Sequence, residues 1–346
     1  MSGLVFIVVP VYNRERLIGR CIDSIRRQSY SNWKLVVVDD SSTDETSFVV
    51  QSYTAIDSRI SLVENTTQPS GAAGARNHGI ECIDPQAEFV AFLDSDDEWY
   101  PSHLSKCVEA LTAGVLADIV VEDLVRVTDS GDIVSRSKFR DESGLPDKRL
   151  TVRIDHGWLL KSGGGKSLAR LINDRFTIGL HSSVFRRAVL HEQLLETYRV
   201  AEDFEFTIRL LKMGFSVVLL DSIGVRYYVH DENISSVGQQ KHCDHRYYFN
   251  CVSEVRLLKK MMSSRMYDDS VEVEAIRRRI ATLLFWGVAY NYYASKGELG
   301  NALTVIAVSR RFGKFSLAMI KTYSILCTRY AIYNIRKYLD RRAHHE

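Results

Sequence analysis

At 346 residues, with 45% hydrophobic and 25% charged side chains, the chain has the composition of one large globular domain, or of a domain with an appendage, and a disordered or low-complexity class is excluded. The net charge of +2 hides an asymmetry, because residues 277–346 hold 13 Lys and Arg against 3 Asp and Glu and the preceding body carries −8. Six cysteines without a CxxC pair read as free thiols in a reducing compartment. The N-terminus shows no charged leader before its apolar run, and Ile280 to Ala294 falls short of the ~20 residues of a spanning helix. Neither secretion nor a membrane span is expected.

Leu4 to Val9 and Lys34 to Val38 are β-branched apolar runs, the pattern of strands covered on both faces. Between them Leu17, Ile18, Cys21, Ile22 and Ile25 recur at helical spacing, which gives a βαβ unit and a parallel sheet. Ser42 to Tyr53 predicts a second helix, Ile60 to Val63 a third strand, Ala72 to Cys82 a third helix and Phe89 to Leu93 a further strand. The first hundred residues are therefore a Rossmann-like half. Pro101 opens the next helix, since its fixed φ suits a first helical position. Ile119 to Val121 reads as a strand and the polar stretch 129–166 as an insertion or long loop. A helix over Glu202 to Met213, stopped by Gly214, precedes strands Ser216 to Leu220 and Val225 to Val229, and from Tyr247 onward the chain reads as helical.

Four stretches carry chemistry. Asp39 and Asp40 stand at a strand end, where ligands bind in open α/β sheets, and can accept hydrogen bonds from a base or ribose; Ser42, Thr43 and Asp44 equally make a helix cap. Gly71 to Gly79, GAAGARNHG, is not the dinucleotide fingerprint, and GGGKS at 163–167 is not a Walker loop because Leu160 stands where glycine is required. Asp94, Ser95, Asp96 and Asp97 end a buried strand, and carboxylates so crowded repel unless a cation neutralises them. A hard divalent ion, an acid–base pair and a capping cluster all answer that need. Glu202 and Asp203 occupy the first turn of a helix, where the macrodipole favours negative charge, either as simple dipole partners or as a proton acceptor facing a cleft. His230 closes a strand, as a structural residue or as a ligand.

Taken in order, Val9-Pro10-Val11-Tyr12-Asn13, Val38-Asp39-Asp40-Ser41-Ser42-Thr43-Asp44, Gly74 to Gly79, Leu93 to Asp97 and Glu202-Asp203 resemble the family-2 glycosyltransferases of the GT-A fold over about residues 3–236. The resemblance implies an α/β catalytic domain at 1–240, with a nucleotide-binding half (1–100) and an acceptor half (101–240), built on a Rossmann-like mixed sheet flanked by helices. A helical, basic C-terminal extension (241–346) follows. It implies inverting transfer of one sugar from a nucleotide-diphosphate sugar to a glycan or a polyprenyl-linked or other lipid-linked acceptor, in synthesis of an exopolysaccharide, capsule or lipopolysaccharide. By the same resemblance Pro10, Tyr12, Asn13, Asp39 and Asp40 hold the nucleoside, and Arg76, Asp94 and Ser95 line the diphosphate and sugar. Asp96 and His230 ligate Mn²⁺ or Mg²⁺, and Asp203, with Glu202 beside it, is the general base. The Gln, Arg and Trp acceptor signature of processive synthases is absent, since 205–212 reads EFTIRLLK, and single addition is expected. A protein of the same fold that binds nucleotide sugar or glycan without turnover is the alternative.

If Lys314 to Lys337 is one helix, Lys314, Lys321, Arg329 and Arg336 share an arc of about 80°. Such a helix either lies on anionic lipid or packs on the catalytic domain with its basic face in water. The first arrangement places the protein in the cytoplasm, peripheral on the inner face of the membrane; nucleic acid, supported by charge alone, is disfavoured as a partner.

Overall fold

The computed structural model describes residues 3–113, 117–135, 150–160, 165–190, 200–229 and 245–343, with side chains described as far as 337. The first unit runs to Ile234 and the second from Ser235. In chain order the first contains β1 (Leu4–Val11), α1 (Ile18–Arg26), β2 (Trp33–Asp39), α2 (Thr46–Thr54), β3 (Ile60–Glu64), α3 (Ala72–Glu81) and β4 (Ala87–Phe92). It continues with β5 (Glu98–Trp99), α4 (His103–Thr112), β6 (Ile119–Val127), β7 (Ile133–Ser135), β8 (Thr151–Ile154) and β9 (Gly157–Leu160). Last come α5 (Lys166–Asp174), β10 (Ser183–Arg186), α6 (Arg187–Leu190), α7 (Glu202–Lys212) and β11 (Val217–Tyr228).

One mixed sheet joins these strands in the order β3-β2-β1-β4-β10-β6-β11-β9-β8. The β3-β2-β1-β4 half is parallel, as the apolar runs require, and β1 is buried along nearly its whole length. On α1, Ile18, Cys21, Ile22 and Ile25 are all fully buried against this half, each isoleucine contributing about 1.5–3 kcal/mol of hydrophobic burial. Beyond β4 the sheet changes sense: β10 runs antiparallel to both β4 and β6, while β6 and β11 are parallel.

The order reverses between β1 and β4, which opens a crevice at their carboxyl ends. Pairing of β1 with β4 stops at Val8 and Phe92, and Pro10, which has no N–H to offer a neighbour, follows just after. The glycines of GAAGARNHG serve close packing. A Cβ on Gly79 would lie 2.2 Å from Val8 Cγ1, and one on Gly74 1.6 Å from the Pro69 carbonyl oxygen, so α3 sits directly on β1 and on the loop before it.

Three expectations change. Stretch 129–166 contains the short strands β7, β8 and β9; β8 and β9 form a hairpin at the sheet edge, where exposed polar positions hid the pattern. The two strands foreseen over 216–229 are one, β11, whose register against β6 shifts on either side of Ile223. The helix after Pro101 begins at His103. Gly163 and Gly164 of GGGKS lie outside the described residues.

In the second unit α8 (His245–Ser263) and α9 (Ser270–Thr282) lead through a π-helical segment, Leu283–Tyr293, to α10 (Leu299–Ser309) and α11 (Leu317–Ala343). Asp269 caps α9, accepting from the Val271 N–H at 2.7 Å. Phe285, Ala289, Ala302, Ile306, Met319 and Leu326 form this unit's core. Among the described residues no helix is long and apolar enough to cross a membrane.

Candidate active site

The crevice begins with two loops clasped by carboxylates. Asp39 accepts from the Ser42 N–H at 2.9 Å and from the Ser47 hydroxyl. Asp40 accepts from Asn65 Nδ2 at 2.7 Å, Ser70 Oγ at 2.8 Å and the Gly71 N–H at 2.6 Å. Both acids are buried, and both organise backbone, so Asp40 fixes the entrance to α3 whatever else it contacts. Asn13, in the left-handed region at φ +50°, accepts from the Thr43 N–H at 2.8 Å and ties the end of β1 to the DDSSTD turn. Tyr12 beside it is 53% exposed and offers a free ring face, while Pro10 is buried within β1. Asp44 caps the following turn, accepting from the Thr46 N–H at 3.0 Å, and these bonds hold its carboxyl below the usual range despite the cost of burial.

Asp94, Ser95, Asp96 and Asp97 follow β4 and meet different surroundings. Asp94 Oδ1 accepts from Arg76 Nη2 at 2.5 Å, and Oδ2 lies 3.8 Å from His181 Nδ1. Burial would raise its pKa, but the charges of Arg76 and His181 hold it below the ordinary value. Ser95 is buried. Asp96 is half-buried, 3.9 Å from Arg14 Nε, and its carbonyl accepts from Arg20 Nη2 at 2.8 Å. Asp97 is fully buried; Oδ1 accepts from the Tyr228 N–H at 3.0 Å, and Oδ2 has no hydrogen-bond partner among the described residues. Burial first, then the charges of Asp96 and Asp94, push its carboxyl well up.

Arg76, on α3, is the cation this cluster shares. Besides Asp94 it reaches Glu202 at 3.5 Å, and its side chain is only 7% exposed. Burial disfavours its charge, yet Asp94, Glu202 and Asp203 more than restore it. Glu202 and Asp203 start α7 directly after Ala201, whose left-handed φ of +67° turns the chain into the helix. Asp203 Oδ1 accepts from the Phe204 N–H at 2.7 Å.

Burial, then Asp203, raises the Glu202 carboxyl from 4.5 to about 7. A folded pKa above the unfolded one means that the folded state binds more protons between those values, so stability falls as pH rises through that window. Glu202→Gln should therefore melt progressively later than the wild type between pH 5 and 8 in metal-free buffer, by a difference of the order of 3 kcal/mol. Parallel melting curves would contradict this.

The structure thus brings Arg76, Asp94, Glu202 and Asp203 together, with Ser95 and Asp96 beside them, and gathers Asp39, Asp40, Asn13 and Tyr12 at the adjoining strand ends. His230 lies outside the described residues. His181 escaped sequence reasoning, and Asp97 was not told apart from its neighbours. His181 precedes β10 and enters only because β10 pairs with β4, which no local pattern announces. Asp97, by contrast, stands within the quoted acidic run and is distinguished only by its burial. Asp94, Asp97 and His181 each bring one ligand atom within 4.8 Å of the others. Asp97 Oδ2 and His181 Nε2, buried and without a hydrogen-bond partner among the described residues, fit a divalent cation, because buried polar atoms otherwise take hydrogen bonds.

Comparison with known proteins finds relatives in sequence and neighbours in fold. The UDP-Glc:alpha-D-GlcNAc-diphosphoundecaprenol beta-1,3-glucosyltransferase WfgD of Escherichia coli is 46% identical over 101 residues, which is 29% of this chain and 38% of the relative. The chain spans about two fifths of the length of several such curated relatives. Among solved structures, S. aureus TarS 1-349 in complex with UDP-GlcNAc superposes with a TM-score of 0.53 at 19% identity, over 90% of this chain and 93% of that one. Mannosyltransferase PcManGT from Pyrobaculum calidifontis, in complex with GDP-Man and Mn²⁺, gives 0.53 at 18%, over 96% and 86%. These likenesses establish the GT-A fold. The model of glycosyl transferase family 2 matches residues 6–190, over half of the chain, from within β1 to the end of α6, and the chain belongs to that family.

Proposed function

We propose that the protein moves one sugar, with inversion, from a nucleotide-diphosphate sugar to a hydroxyl of a glycan or lipid-linked acceptor in surface-polysaccharide synthesis. The observation that carries this is the meeting of Asp94–Asp97 at the end of β4 with Arg76 of α3 and the acids that begin α7. A transferase needs a place for a diphosphate and a separate base, and this crevice supplies carboxylates of both kinds. The E. coli relative, a transferase with a UDP-sugar donor and a diphosphoundecaprenol acceptor, supports the donor and acceptor classes.

The nucleoside lies against Tyr12 and the Pro10–Asn13 segment, with Asp39 and Asp40 holding the loops that frame it. Arg76, Asp94 and Ser95 line the diphosphate and sugar. Asp96 and His230 are the metal ligands implied by the family motif, and Asp97 and His181 join them as candidates on the geometry described above. Mn²⁺ or Mg²⁺ bound there would act as a Lewis acid toward the leaving nucleoside diphosphate. Asp203 takes the proton of the acceptor hydroxyl while that oxygen bonds to the anomeric carbon from the face opposite the departing phosphate. The electron pair of the broken carbon–oxygen bond leaves on the diphosphate, so one displacement inverts the centre. Glu202, paired with Arg76, positions the helix end that carries Asp203.

Thermal melting with UDP-, GDP- and dTDP-sugars, each with and without Mn²⁺, tests this. A donor at a hundred times its dissociation constant should stabilise the protein by about 2.7 kcal/mol, and only with the cation present. Failure of every donor would overturn the proposal; donor binding without transfer to any acceptor would leave a non-catalytic binder.

A further inference from the structure

Helix α11 carries two apolar stripes, of which only one packs against protein among the described residues. Met319 and Leu326 are buried in the core of the second unit against Phe285, Ala289, Ala302 and Ile306. On the opposite side Leu317, Ile325, Ile332 and Ile335 are 78%, 54%, 47% and 59% exposed. At 100° per residue these four fall within an arc of about 80°, along about 27 Å of helix. Lys321 lies inside that arc, and Arg336 and Arg329 border it. Branched apolar side chains held in register along one exposed face, with Lys321 and Thr328 between them, mark an interaction site, since scattered exposure needs no such register.

We infer that this outer face of α11 docks on an anionic lipid surface. Charge decides the occupant. Residues 277–346 carry 13 basic and 3 acidic side chains, so a second copy of the same helix would meet like charge, whereas anionic headgroups answer it. Nucleic acid would satisfy the basic groups and leave the isoleucines in water. Lipid takes both: the isoleucines enter the headgroup–acyl boundary, and Lys321, Arg329 and Arg336 extend their stems along it to reach phosphate. The helix lies in the surface plane rather than crossing it, in keeping with its mixed composition.

Flotation of the full chain with phosphatidylcholine vesicles, with and without phosphatidylglycerol, tests this and requires neither donor nor acceptor. Its failure would leave the proposed reaction standing. The wild type is expected to float with the mixed vesicles only, and to be released by high salt. Ile325→Ser/Ile332→Ser should bind about ten-fold more weakly or worse. Arg329→Gln/Arg336→Gln should bind about thirty-fold more weakly, at about five-fold per basic side chain, with a shallower salt dependence. All four positions face solvent, so melting temperatures should stay at the wild-type value. Equal flotation with uncharged vesicles, or unchanged partitioning of both variants, would overturn the inference. So would an oligomer that the isoleucine variant converts to monomer, which would assign the face to a second copy.

Discussion

Asp203→Asn should lower the rate of sugar transfer about a thousand-fold and leave donor affinity within a few-fold of the wild type. The amide keeps the volume and still accepts from the Phe204 N–H, so α7 starts as before. It cannot take a proton at neutral pH, and positioned general bases contribute 10²–10⁴-fold. Donor affinity is spared because the residues proposed to hold the nucleoside lie on the β1 and β2 loops, with their own hydrogen bonds. Steady-state transfer beside a donor titration separates the two quantities. A variant with full activity would remove Asp203 as the base. Loss of donor binding equal to the loss of rate would make it a binding residue instead.

Arg76→Met is expected to destabilise the protein by about 3–5 kcal/mol at pH 7, the cost of leaving buried charges without their partner. The guanidinium touches Asp94 at 2.5 Å and Glu202 at 3.5 Å from a nearly water-free position. Methionine replaces the apolar stem and supplies no charge. Because Arg76 keeps Asp94 ionised in spite of burial, the deficit should be complete at neutral pH and shrink as pH falls and the carboxylates take up protons. A divalent cation should restore part of the loss in the variant and add less to the wild type. Melting curves across pH, with and without Mn²⁺, measure this. An unchanged melting temperature at pH 7 would mean that the cluster is neutralised without Arg76.

Much of the parallel half was legible because its physics is local. Uninterrupted β-branched runs made β1 and β2, the recurrence of Ile18, Cys21, Ile22 and Ile25 made α1, and the acids of α7 marked its first turn. What stayed hidden depends on pairing at a distance. β10 is four residues long, too short for a periodic signal, yet its insertion between β4 and β6 delivers His181 to Asp94. Asp94, Asp96 and Asp97 are chemically alike in the sequence, and only the fold, through the Tyr228 N–H and complete burial, sets Asp97 apart. On α11 the periodicity shows two apolar stripes but not which one packs, since that depends on where α10 lies.

β10 has a mechanical consequence as well. A doubly wound enzyme with its donor and acceptor halves on separate sheets can open and close about a hinge, and admit its substrates by that swing. Here β4, which ends at the proposed donor side, and β6 and β11, on the proposed acceptor side, are hydrogen-bonded through β10 into one sheet. A sheet continuous across both halves leaves no seam between them for a hinge. On the proposed function, access is then set by the loops around the crevice, and the Asp40 clasp on residues 65–71 would help to decide how fast a donor enters and a spent nucleotide leaves.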